Sequence, residues 1–277
     1  MFIVLEGPDG AGKSSLSNEI IQRYKRAAKS AGETRRINFQ HCGPPIARTP
    51  DQSVEDYEDF CFIRLMRMIR CYDPTDVTQL FLYDRFHYGP IVYGALFRAA
   101  NNTDGFGDLN RGYFETIERE LALRGAITAV LLPSVETLVA RLGPRGDDYL
   151  DAQDGDQGED KRRAQLTAIV AGYHSLVRDD RYRLSLRSYV GYPHYVDSAI
   201  SSSTFYPPVA YDQDISVVAL DLLSKANSAQ SVARRNWLND DSSRQLISAP
   251  SVDENGDESQ YEIYNPNVEQ STDEVTV

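Results

Sequence analysis

One stretch near the start constrains this chain more than any other: Gly7-Pro8-Asp9-Gly10-Ala11-Gly12-Lys13-Ser14, a G-x-x-x-x-G-K-S pattern. The Phe2-Ile3-Val4-Leu5 run before it is continuous and β-prone, as a strand buried on both faces of a parallel sheet must be. After it Leu16, Ile20 and Tyr24 recur at helical spacing. Strand, glycine-rich turn and helix together aim backbone N–H groups and the positive end of a helix at one point, which suits a phosphate. On this reading Lys13 reaches the β and γ phosphates of ATP and the Ser14 hydroxyl ligates Mg2+. Gly7, Asp9, Gly10, Ala11, Gly12 and Ser15 complete the nucleotide cradle.

The rest of the chain repeats the alternation. Apolar runs at Gln79 to Tyr83, Ile127 to Leu132 and His194 to Val196 are separated by helical-length segments. Helices are predicted at about 52–70, 90–100, 110–123, 134–142, 159–178 and 212–225. Strands and helices in alternation predict an α/β, three-layer fold with a mostly parallel sheet. Between Gly143 and Lys161, Gly, Asp and Gln dominate and few apolar residues occur, which predicts a mobile lid over about 141–161. Past about Ala226 the hydrophobic period fades. The expected organisation is therefore one domain over 1–227 and a disordered acidic tail over 228–277.

Composition narrows the function classes. The 277 residues carry 29 Lys+Arg against 41 Asp+Glu, a formal net charge of -12. Such a surface repels phosphate backbones at long range, which counts against non-specific duplex binding as the main task. Residues 246–277 hold eight acids and no Lys or Arg, so the acidity is largely a property of the tail. Cys42, Cys61 and Cys71 form neither a disulfide framework nor a closely spaced metal-ligand pair. With no signal-like start and no apolar stretch near 18 residues, the expected setting is cytoplasmic, with no membrane partner.

Three further constellations bear chemistry. Leu80-Phe81-Leu82-Tyr83 ends in Asp84-Arg85, and the carboxyl ends of parallel strands face the ligand crevice. Asp84 would then lie near the metal held by Ser14, and Arg85 could clamp a second phosphate. In the segment 52–70, Tyr57, Cys61, Leu65 and Met68 form a core stripe, while Phe60, Arg64 and Arg67 occupy another that suits stacking on a planar base. The alternative is a partly buried Phe with solvated arginines. Arg141 and Arg145 open the lid, where closing arginines can meet the charge of a migrating phosphoryl group; otherwise Asp147 and Asp148 simply balance them. His41, His87, His174 and His194 lack metal-ligand spacing, Tyr173-His174 reads as packing, and no catalytic histidine is expected. An N-K-x-D motif is absent, which disfavours a GTPase switch.

These residues resemble the thymidylate kinase family, within the P-loop nucleoside monophosphate kinases. The run from Phe2 to Ser14 looks like its signature, Asp84-Arg85 like its D-R pair, and Tyr93, nine residues after Asp84, like the tyrosine that packs against the deoxyribose. Arg64 and Phe60, 20 and 24 residues before Asp84, match the base-reading arginine and the stacking phenylalanine. The resemblance spans about residues 1–225 and implies a P-loop kinase fold, ATP and Mg2+ as cofactors, and a pyrimidine deoxynucleotide acceptor. It further implies that Asp9 contacts the sugar 3′-hydroxyl, Arg85 the acceptor phosphate, and Arg141 or Arg145 the transition-state charge. A homodimer is an accompanying expectation.

Gly89 and Pro90 stand where that family usually carries small polar residues, and the segment from His87 to Gly94 resembles phage-type members. That group includes enzymes that phosphorylate the hydroxymethyl group of a modified uracil within viral DNA. Two acceptors therefore remain open, a free 5′-monophosphate, slightly favoured, and a hydroxymethylated DNA base. A nucleotide-dependent binding protein with a recruiting tail is the alternative from another class.

Overall fold

The computed structural model describes residues 1–43, 49, 51–98, 109–142, 157–178 and 215–239. Its elements run β1 (Phe2–Glu6), α1 (Lys13–Ala31), β2 (Arg36–His41), α2 (Val54–Arg70), β3 (Gln79–Asp84) and α3 (Tyr88–Tyr93), the last continued by a π-helical turn over Gly94–Arg98. Then follow α4 (Arg111–Leu123), β4 (Ile127–Val130), α5 (Val135–Leu142), α6 (Gln157–Arg178) and α7 (Ile215–Asn239). The expected strand at 194–196 and the expected lid residues 143–156 lie outside the described residues, as does the tail from 240 onward.

The described strands form one sheet in the order β2-β3-β1-β4, every pair parallel. Residues of β1 and β4 are all buried, the mark of strands covered on both faces. Alternate side chains feed two cores. Phe2, Val4, Phe81 and Tyr83 point to one side, under α2, α3, α4 and α6. Ile3, Leu5, Leu80, Leu82, Ile127 and Ala129 point to the other, where α1 and α7 pack together. The result is the expected three-layer α/β arrangement. It places β1 at the centre, with its carboxyl end opening directly into the glycine-rich loop.

Two elements depart from the sequence expectation. β2 has the pattern Arg36-Ile37-Asn38-Phe39-Gln40-His41, in which Ile37 and Phe39 pack against the core while Arg36 and Asn38 are exposed. An edge strand with one wet face reads as polar, so no continuous apolar run announces it. α7 does not end near 225 but continues to Asn239. Its buried face beyond that point is Ala229, Gln230, Ala233 and Trp237. Alanines give a weak hydrophobic signal, yet they allow close approach: a Cβ on Gly125 would lie 2.5 Å from the Ala229 carbonyl oxygen. Gln230 donates to the Asp76 carbonyl at 2.9 Å, and Arg124 lies over the Trp237 ring at 5.2 Å. These contacts pin the helix to the turn before β3 and to the entry of β4.

Gly125, at φ +66°, sits where a side chain is both strained and obstructed. Gly125→Ala should therefore destabilise the fold by about 2–4 kcal/mol, read as a lowered midpoint at unchanged slope in urea unfolding.

Candidate functional site

Register decides what meets at the carboxyl edge of the sheet. Leu5 of β1 pairs with Asp84 of β3, and His41 of β2 pairs with Asp84 from the other side. The loop after Glu6 and the turn after Asp84 thus emerge as neighbours. Gly7 turns the chain out of β1 at φ +137°, and any Cβ there would meet the Leu131 carbonyl oxygen at 2.3 Å, so no larger residue fits. Gly12 caps α1 at φ 90° with no side-chain cap, leaving the first N–H groups of the helix directed at the loop. Lys13 is buried, and its Nζ donates to the carbonyls of Gly7 and Pro8, each at 2.8 Å. Burial lowers its pKa, while the charges of Asp84 and Glu6 oppose that shift.

Ser14 and Asp84 are brought together. Ser14 Oγ donates to Asp84 Oδ2 at 3.1 Å, although the two residues are 70 positions apart. Asp84 is buried, and its Oδ1 has no hydrogen-bond partner. An orphaned carboxylate oxygen beside a hydroxyl at a helix N-terminus fits a hard cation such as Mg2+. Among the described residues no group of three or more His, Cys, Asp or Glu gathers as a metal site. From this chain a cation here would take one hydroxyl and one carboxylate, and its remaining ligands would come from water or from a bound molecule.

His41 is the site residue that the sequence reading passed over. Its Nδ1 lies 3.0 Å from Asp84 Oδ2, and this hydrogen bond raises the imidazole pKa above its ordinary value, against a lowering by burial. The signal was hidden because β2 itself was not recognised, and with it the register that carries His41 to Asp84. Cys42, next in the chain, donates its N–H to the Asp84 carbonyl at 2.9 Å. Burial pushes the Cys42 thiol up to about 12.

A second cluster forms on the opposite side of the loop. Arg85 pairs with Asp9, its guanidinium carbon stands 6.0 Å from the Tyr93 ring centre, and the Tyr93 hydroxyl donates to Asp9 Oδ2 at 3.4 Å. Asp9, Arg85 and Tyr93 are therefore one constellation. Arg85 adopts φ 68°, which is unusual for a residue with a side chain. Beneath it Glu6 is fully buried, and its Oε1 accepts the N–H groups of Phe86 at 2.8 Å and Tyr88 at 2.9 Å. Burial raises the Glu6 pKa, opposed by the charge of His87 and by these two amides. His87 is itself buried and paired with Glu118 of α4.

On α2, Tyr57, Cys61 and Leu65 are buried and Met68 partly so, while Phe60 and Arg64 are half-buried and Arg67 is exposed. Phe60 stacks loosely on Tyr57, with centroids 6.5 Å apart. The charge of Arg64 reaches Cys42 and so the end of β2. Arg141 at the end of α5 donates to the Gly10 carbonyl at 3.1 Å, which ties the start of the expected lid to the glycine-rich loop. Arg145 lies outside the described residues. Among those residues, no helix is long and apolar enough to cross a membrane.

No protein-family model matches the chain, and no curated protein matches it. Among solved structures, similarity is found to the YorR protein of Bacillus subtilis in complex with phosphorylated GDP, at 19% identity over 62% of this chain and 80% of that one, with a TM-score of 0.37. A deoxyadenosine kinase from M. mycoides with bound dATP gives 17% identity over 82% and 100%, with a TM-score of 0.37. The same kinase with dCMP and dCDP gives 17% over 82% and 99%, with a TM-score of 0.35.

If Ser14 and Asp84 share a cation and the loop beside them takes ATP, Asp84→Asn should weaken ATP binding about tenfold or more in the presence of Mg2+ and leave metal-free binding within about threefold. Calorimetric titrations with and without EDTA measure both.

Proposed function

We propose that this protein is an ATP-dependent phosphotransferase of the thymidylate kinase kind, acting on a pyrimidine deoxynucleotide. The observation that carries the reading is the parallel pairing of β1 with β3, which sets Asp84 against Ser14 while Arg85 reaches Asp9 across the same loop. A donor cradle and an acceptor clamp thereby share one edge of the sheet.

The chain's own residues would act as follows. The loop from Gly7 to Ser15 binds the donor phosphates through amides and the α1 N-terminus. Lys13 leaves its carbonyl partners in the loop for phosphate oxygens, a stronger, charge-assisted set. Ser14 and Asp84 would hold Mg2+, which when bound would supply positive charge to the donor phosphates. Arg85 orients the acceptor phosphate, Asp9 and Tyr93 the sugar, and Phe60 and Arg64 the base. Arg141, with Arg145, would meet the charge on the migrating group. Positioning and electrostatics then supply most of the rate, since the transfer needs little covalent help.

One observation favours a second acceptor. Gly89 is buried, yet a Cβ built there meets nothing within 4 Å. The space left by a missing polar side chain could admit a larger pyrimidine substituent, such as the hydroxymethyl group of a uracil in DNA. Incubation with γ-labelled ATP and either deoxynucleoside monophosphates or hydroxymethyluracil-containing DNA separates the two acceptors. Label in neither acceptor, with slow ATP hydrolysis alone, would leave the binding-protein alternative. Lys13→Ala should lower transfer at least about a thousandfold, or roughly 4 kcal/mol of barrier, without loss of folded signal by circular dichroism. Near-normal turnover by that variant excludes the mechanism.

A further inference from the structure

Glu6 takes no part in the chemistry proposed above, yet it is among the most buried ionisable groups in the molecule. Its backbone belongs to the β1–β4 ladder, where its carbonyl accepts the Leu131 N–H at 2.8 Å. Its side chain leaves that ladder and reaches the turn that follows β3. There a single oxygen, Oε1, accepts two amides that straddle the turn, from Phe86 at 2.8 Å and from Tyr88 at 2.9 Å.

Between β3 and those amides sits Arg85, the one residue other than glycine with a positive φ among those described. Left-handed backbone at a side-chain-bearing residue persists only where the surroundings over-determine it. Here the turn is fixed from both ends. Arg85 donates its own N–H to the Leu5 carbonyl at 2.8 Å, and the next residue donates to Glu6. Consecutive residues of β1, Leu5 and Glu6, thus hold consecutive amides of the turn, one through the backbone and one through a side chain. The guanidinium that results from this turn is the one on Asp9 and beside Tyr93.

We propose that Glu6 is a positioning residue for the acceptor clamp, its carboxylate holding the Arg85 turn in a left-handed conformation and so aiming the guanidinium across the phosphate loop. An arginine on a relaxed turn would point elsewhere, and acceptor binding would suffer before donor binding did. The acceptor part rests on the role proposed for Arg85; the conformational part does not.

The test uses the full-length protein with Glu6→Gln, Glu6→Asp and Glu6→Ala. Gln keeps an oxygen where Oε1 stands, whereas Asp withdraws it by one methylene and remains usable if the Ala variant fails to fold. Native-state hydrogen exchange should show the Phe86 and Tyr88 amides at least tenfold less protected in Glu6→Asp, with protection unchanged in α1 and α7. Glu6→Gln should retain it. Arg85→Gly should be more stable than Arg85→Ala in the wild-type background, and this difference should shrink at least threefold in Glu6→Asp. With the acceptor identified by the labelling experiment, Glu6→Asp should raise the acceptor KM at least tenfold and change the ATP KM less than threefold, with Glu6→Gln close to wild type. Unchanged protection of both amides, or an equal Gly–Ala difference in both backgrounds, overturns the brace. If exchange and stability respond as stated while no acceptor is phosphorylated, the brace stands and the kinase reading falls.

Discussion

The pairing of β1 with β3 is the contact on which the rest depends. Parallel strands bring their carboxyl ends to the same edge, and the register of Leu5 with Asp84 sets how far each strand runs before it releases its loop. A slip of one residue would turn Asp84 into the sheet's opposite face and send Phe81 and Tyr83 to the side now occupied by Leu80 and Leu82. That slip is opposed by two different cores, aromatic on one face and aliphatic on the other. The site is therefore fixed by packing far behind it: Phe2 lies against Tyr72, Phe81, Tyr83 and Phe86 at centroid distances of 5.3 to 6.3 Å.

Polar groups finish what packing begins. Asp84 Oδ2 receives Ser14 and His41 from two sides, and its other oxygen is left bare in a buried setting. Lys13 is folded back onto the loop's own carbonyls, with its cation taken out of water beside two acids. Groups held in this way have already given up most of their solvent, so an anion bound among them would meet little reorganisation. On the far side of the loop, Asp9 and Tyr93 give Arg85 partners that any incoming anion would have to share or displace.

How much of this the sequence disclosed depended on the kind of signal each element left. β1 and β3 are apolar throughout and bounded by turn residues, so both strands and the Ser14–Asp84 meeting could be read directly. The opposing faces of α2 were legible because its apolar positions follow a clean helical spacing. β2 was missed since it lies at the sheet's edge, and His41 was lost with it. The second half of α7 was missed because alanine at 226, 229 and 233 packs by being small rather than by being greasy. Nor could the Arg85 backbone be foreseen: nothing in Asp84-Arg85-Phe86 announces a left-handed residue, and the partner that holds it is 79 positions earlier.

The close seat of α5 on the glycine-rich loop limits what that loop can itself carry. At Gly10 an added Cβ would come within 3.0 Å of Leu142, and the backbone there is already left-handed at φ +74°. A side chain at that position would be strained by its own backbone and would press on Leu142, so a second cation on the loop, beside Lys13, would compete for room with the helix end that brings Arg141 to the Gly10 carbonyl.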